Sequence, residues 1–163
     1  MTAAESLLNV SNVHVVYPAR RRGGKSARAV DGVDLDIRSG EIIALVGESG
    51  CGKTTLARAI LGLQETSEGS IAFGGELLPT SASGKKAFRR RAQIVFQDPT
   101  ASLNPRHSVY EIVAEGLRIH GLVENEHQVV KNALEQCGLH PAERYMLKYP
   151  HELSGGQRQR VVI

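Results

Sequence analysis

The chain has 163 residues, 41% hydrophobic and 23% charged, with a formal net charge of +3. That is enough chain for one globular domain with its own core, and too ordinary a composition for a disordered, collagenous or disulfide-built protein. Two cysteines, Cys51 and Cys137, give neither metal-ligand spacing nor a disulfide framework, so a reducing compartment is expected. No run approaches the ~20 apolar residues of a membrane span, and the opening residues lack a signal pattern, so any membrane role is expected to run through a partner.

The basic residues are clustered: Arg20, Arg21, Arg22, Lys25 and Arg28 form one group, and Lys85, Lys86, Arg89, Arg90 and Arg91 another. Solvated surface is the expected reading of both. Aromatics are only 4%, and no basic-plus-aromatic stacking surface is visible, so nucleic acid is not expected as a partner.

In chain order, Leu7 to Tyr17 is Val-rich and alternating, which predicts a strand. Pro18 to Arg28 reads as a basic loop. Ala29 to Ile37 alternates again, with Val33, Leu35 and Ile37 against Asp34, Asp36 and Arg38, and predicts a half-exposed strand. After a turn at Ser39-Gly40, the apolar run Ile42 to Val46 predicts a strand buried on both faces, as in a parallel sheet. A loop to Gly52 leads into a helix from Lys53 to Leu63.

Ser70 to Phe73 predicts a short strand broken by Gly74-Gly75. Ser83 is a candidate cap for a helix over 84–92, and Gln93 to Phe96 reads as another apolar strand. Helical spacing then appears over Ser108 to His120 and over Glu126 to Cys137. Gly138 stands as a stop, and Pro141 as a first-turn residue of the next helix. The division expected is a nucleotide-binding core with an N-terminal β part over residues 1–97, a helical part over 98–160, and the start of a return to the core at 161–163.

Residues Gly47-Glu48-Ser49-Gly50-Cys51-Gly52-Lys53-Thr54 fit the phosphate-binding pattern G-x-x-x-x-G-K-[ST]. A polyphosphate must be held without bulky side chains in the way. Gly47, Gly50 and Gly52 let the backbone turn its N–H groups inward, Lys53 supplies a point charge, and the Thr54 hydroxyl suits Mg²⁺. A helix opening at Lys53 adds its positive end, and Thr55 stands in its first turn. Cys51 occupies a variable, small-residue position.

A second motif, Leu153-Ser154-Gly155-Gly156-Gln157, follows about a hundred residues later. Ser154 is placed to cap a helix opening at Gly155. Together the two motifs resemble the ATP-binding-cassette (ABC) ATPases, over essentially the whole chain. Gln97 is similar to that family's Q-loop glutamine, and Tyr17 to its adenine-stacking aromatic. Phe96-Gln97-Asp98-Pro99, Ser102-Leu103-Asn104-Pro105-Arg106 and Tyr149 to Val161 resemble the dipeptide, oligopeptide and nickel importer subgroup, of the kind found in the second of its paired ATPase subunits.

The resemblance implies an α/β P-loop NTPase cassette core, here partial, with an antiparallel β part and a helical subdomain. It implies ATP and Mg²⁺ as ligands, with Lys53 and Gln97 in catalytic roles and Thr54 and Gln97 at the metal. Ser154, Gly155, Gly156 and Gln157 would close over the nucleotide of a second, head-to-tail cassette. Permease subunits and, indirectly, a solute-binding protein are the implied partners, at the cytoplasmic face of the cell membrane.

The family continues beyond the signature with a strand ending in Asp and Glu. Hydrolysis by residues 1–163 alone is therefore not expected, and exposed apolar faces at Ile42 to Val46 and Ile94 to Phe96 are. A non-hydrolysing ATP-binding fragment stays open as an alternative. A soluble ABC protein of DNA repair or translation fits less well, because such proteins carry zinc-binding cysteines or a second cassette.

Overall fold

A computed structural model describes residues 6–19, 26–96 and 103–163. The described chain forms two compact units, Met1–Gln93 and Ile94–Ile163.

The first unit is built on an antiparallel sheet of β1 (Ser6–Tyr17), β2 (Ala27–Arg38), β3 (Glu68–Phe73) and β4 (Glu76–Leu77), in the order β2-β1-β3-β4. Strand β1 reads as two alternating apolar runs offset by one residue, Leu8/Val10 and Val13/Val15. A register shift between Val10 and Val13, with Asn12 at φ 45°, reconciles them. All four side chains therefore face the same core, where they meet Val30, Ile71 and, from helix α1 (Lys53–Ile60), Leu56 and Ala59. Each fully buried Val or Leu of this kind contributes about 1.5–3 kcal/mol. Along β2, Val33, Leu35 and Ile37 pack partly against the core while Asp34, Asp36 and Arg38 stay exposed, as their alternation requires.

Helix α1 ends three residues before the expected Leu63. Leu61 caps it, the chain turns at Gly62, and Leu63 is left exposed. Helix α2 (Ala82–Arg89) begins earlier than its sequence suggests. The capping side chain is Ser81, whose Oγ accepts from the Gly84 amide at 3.1 Å, and Ser83 falls inside the first turn.

Two expected strands are not formed. Residues 41–46 and 93–96 have irregular backbone, with Ile42 95% and Val46 88% exposed. A strand is stabilised by the neighbour that satisfies its N–H and C=O groups and covers its faces. Among the described residues no strand pairs with either run, and the described sheet is antiparallel throughout.

The second unit is helical: α3 (Val109–His120), α4 (Glu126–Gln136), the short α5 (Glu143–Met146), a 3₁₀ turn at Pro150–Glu152 and α6 (Gly155–Val162). Its core joins Val109 and Ala114 of α3 to Val130 and Leu134 of α4, with Leu139, Leu153 and Val161. Ser108 starts α3 with a reciprocal cap. Its Oγ accepts from the Glu111 amide, and Glu111 Oε2 accepts from the Ser108 amide at 2.8 Å. Pro141 does not open a helix itself; α5 starts two residues later, with Ala142 at its N-cap.

Helices α3 and α4 are joined by Glu126. It accepts two bonds from Arg118, at 2.7 and 2.9 Å, and one from the Tyr110 hydroxyl at 2.8 Å. The Arg118 guanidinium first, and then the Tyr110 hydroxyl, hold the Glu126 carboxyl below its ordinary range.

Candidate functional site

The loop between residues 46 and 53 is shaped from below by β2. Gly50 (φ 84°) and Gly52 (φ 98°) occupy the left-handed region. At Gly52 space is the second constraint, because a Cβ there would lie 2.0 Å from the Ala29 carbonyl oxygen. The loop thus rests directly on the β2 backbone, and Gly52 serves as the N-cap of α1 without a capping side chain.

The consequence is electrostatic. Within the loop the Cys51 amide finds a backbone acceptor, Glu48 O at 3.3 Å, while those of Gly50, Gly52, Lys53 and Thr54 have none among the described residues. These amides and the α1 dipole form a cradle for an anion. Lys53 lies over it, with Nζ donating to Gly47 O at 2.7 Å and Glu48 O at 2.6 Å and standing 3.4 Å from Cys51 Sγ.

A cleft of about 430 Å³ opens beside the loop, lined by Cys51, Gly52 and Lys53, by residues of β2, and by the apolar side chains of Leu45, Val46 and Leu56. The unpaired amides and the Lys53 ammonium of the loop suit a polyphosphate. Thr54 is exposed next to Lys53. No cluster of three acidic, His or Cys side chains suited to a metal exists among the described residues. The Thr54 hydroxyl, beside the cradle, is the kind of oxygen donor that suits a divalent cation.

The other sequence-selected residues stand as follows. Gly47, Glu48, Ser49, Gly50, Cys51, Gly52, Lys53, Thr54 and Thr55 are contiguous in the loop and α1. Tyr17 ends β1, 38% exposed, with its hydroxyl donating to Gln64 Oε1 at 3.2 Å. Gln97 lies outside the described residues.

Ser154, Gly155, Gly156 and Gln157 form the start of α6, in the second unit. Ser154 Oγ accepts from the Gln157 amide at 3.3 Å, and Gln157 Oε1 accepts from the Ser154 amide at 2.9 Å. A Cβ at Gly155 or Gly156 would meet nothing within 4 Å, and both are exposed. The helix end is thus capped, bare and open to approach.

Sequence reading missed Arg28 and Asp31, which line the cleft with the loop. Arg28 was counted in a basic loop, and no local signal marks where a strand will bulge.

A glycine-turned loop, a lysine folded over it and a helix opening beneath it define a P-loop nucleotide-binding module. The chain belongs to the ABC transporter family, whose pattern matches residues 30–163. It is 46% identical to the oligopeptide transport ATP-binding protein OppF of Bacillus subtilis over 166 residues, covering 98% of this chain and 52% of that protein. It is 43% identical to the glutathione import ATP-binding protein GsiA of Escherichia coli K12, covering 98% of this chain and 26% of that one. The chain spans about half the length of its oligopeptide-transport relatives.

Among solved structures, cbiO1 of Clostridium perfringens, part of the ABC transporter complex cbiONQ, superposes with TM-score 0.77 at 31% identity, covering 97% of this chain and 59% of that one. The ATP-binding cassette MJ0796, solved as a dimer in a post-hydrolysis state with ADP and Pi, superposes with TM-score 0.74 at 28% identity, covering 95% of this chain and 66% of that one. The fold class read from sequence, a partial ABC cassette, is therefore shown. No described helix is long and apolar enough to cross a membrane.

Proposed function

We propose that this chain carries the ATP-binding part of a subunit that hydrolyses ATP to drive import of peptides or related small solutes, as the names of its relatives suggest. The observation that carries the reading is the cradle at Gly47–Thr54: unpaired amides and the α1 N-terminus beside the Lys53 ammonium.

The loop amides hold the β- and γ-phosphates. Lys53 leaves the carbonyls of Gly47 and Glu48 and neutralises the charge that shifts during phosphoryl transfer. The Thr54 hydroxyl would hold Mg²⁺, which would supply Lewis-acid withdrawal of charge from the phosphates. Tyr17 stacks on adenine. Gln97 would serve the bound Mg²⁺ and the attacking water, as the family resemblance implies. Ser154, Gly155, Gly156 and Gln157 present capped helix amides to the nucleotide held by a second cassette, so ATP joins two cassettes head to tail. Residues 98–160 dock to a permease at the cytoplasmic face of the membrane, and a separate solute-binding protein selects the cargo.

The test is calorimetric titration of the full chain with Mg-ATP. The unaltered protein binds with a 1:1 stoichiometry, and Lys53→Ala loses at least about tenfold in affinity, as expected for removing a charge-assisted bond. Equal affinity of the two proteins contradicts the reading.

A further inference from the structure

Beside the P-loop, the edge of β2 carries a built arrangement that the motif does not include. The β1–β2 register jumps from Val15↔Val30 to Val16↔Arg28, so Ala29 is a bulge residue without a cross-strand partner. Bulges bend a strand and re-aim the side chains next to them. Here the bulge pushes the Ala29 carbonyl under Gly52 and brings Arg28 to the wall of the cleft that Cys51, Gly52 and Lys53 line. Arg28 Nη1 donates to Asp31 Oδ1 at 2.7 Å, and the same oxygen meets His14 Nδ1 at 3.0 Å. The other ring nitrogen of His14 is 3.2 Å from Asn12 Oδ1, which fixes the imidazole in turn. A chain of side chains thus runs from Asn12 and His14 of β1 to one exposed guanidinium.

The register also fixes where along a nucleotide this guanidinium falls. Tyr17 pairs with Ala27 and Val16 with Arg28. Along β2, Arg28 thus lies between Ala27, which pairs with the aromatic that ends β1, and Ala29, whose carbonyl underlies Gly52 of the loop.

We propose that Arg28 is a nucleotide-positioning residue whose guanidinium takes the α-phosphate. The inference rests on the P-loop reading above. The group at that point of the ligand is anionic and presents two oxygens, the geometry a guanidinium fork matches. The Arg28–Asp31 pair is exposed on both sides, at 59% and 60%. Exposed pairs are weak, so redirecting Arg28 towards phosphate costs little.

The experiment is titration of the full chain and of Arg28→Gln and Arg28→Lys with Mg-ATP, Mg-ADP and Mg-tripolyphosphate, at low and high salt. Arg28→Gln loses about tenfold for all three ligands, and the loss persists in high salt because the contact is direct. Arg28→Lys recovers part of it. A loss confined to ATP and ADP places the contact on the nucleoside and overturns the proposal, as does a loss that vanishes in salt or no loss at all. Thermal melting checks that the variants are folded. If the unaltered protein binds none of the ligands, the P-loop reading falls and this inference with it; if it binds and Arg28→Gln matches it, only this inference falls.

Discussion

Replacing Gly52 and Gly50 by alanine, one at a time, separates two requirements that the P-loop places on its backbone. Both residues have left-handed φ, 98° and 84°, so either substitution adds about 1–2 kcal/mol of backbone strain. They differ in what a methyl group meets. At Gly50 nothing lies within 4 Å; at Gly52 the Ala29 carbonyl oxygen lies at 2.0 Å. A methyl group cannot approach a carbonyl oxygen closer than about 3 Å, so Gly52→Ala must push the loop off β2 by about 1 Å or reorganise the bulge. The α1 N-terminus and the Lys53 ammonium then move away from the positions that define the cradle.

Gly50→Ala is expected to lose at most about thirtyfold in Mg-ATP affinity, the factor that the upper strain of ~2 kcal/mol allows. Gly52→Ala is expected to lose detectable binding and to melt at a lower temperature than Gly50→Ala. Calorimetry and thermal melting of the three proteins decide it. Equal affinities and melting temperatures for the two variants show that contact with Ala29 does not shape the loop, and refute the reasoning.

Three further outcomes are open to test. Tyr17→Ala is expected to weaken ATP by the ~1–3 kcal/mol typical of base–aromatic stacking while sparing tripolyphosphate; parallel losses for both ligands remove the stacking role. Ser154→Ala deletes the reciprocal cap of α6 and is expected to destabilise the helical unit by about 1 kcal/mol in denaturant unfolding, and an unchanged midpoint contradicts that. The carboxyls of Glu111 (backbone bond from Ser108), Glu126 (Arg118) and Glu143 (Lys131) are all held below their ordinary value of 4.5. A carboxyl with a depressed folded-state pKa contributes stability that is present above its ordinary value and lost as pH falls through the depressed one. The helical unit is therefore expected to lose stability on acidification below pH 4.5, with a shallower loss in Glu126→Gln. A profile that is flat, or the same in both proteins, contradicts it.

What the sequence made legible follows the range of the interactions. Caps and loops are set by residues three or four apart, so the Ser154 cap and the Gly47–Thr54 loop could be read directly, whereas Ser108, expected as the first residue of the helical stretch, is the cap of α3. Even there the competition is close: Ser81 and Ser83 stand on either side of Ala82, and the bond from the Gly84 amide selects Ser81 as the cap. Strands β1 and β2 were each legible from alternation, although the offset between Val10 and Val13 shows in sequence only as a broken period.

The bulge at Ala29 was not legible. It is a property of how β1 and β2 register against each other, and with it went Arg28 and Asp31 as cleft residues. The apolar run Ile42–Val46 has the composition of a buried strand, but composition supplies no hydrogen-bonding neighbour. Among the described residues it has none, and it stays largely exposed.

The most direct measurement is an amide-resolved NMR titration of the full chain with Mg-ATP. Binding in the cradle moves the amide resonances of Gly50, Gly52, Lys53 and Thr54 first and furthest, and shifts the Lys53 Nζ signal as it leaves the carbonyls of Gly47 and Glu48. Saturable binding that leaves those resonances in place, or no binding at millimolar Mg-ATP, contradicts the assignment of residues 47–54 as the seat of the triphosphate.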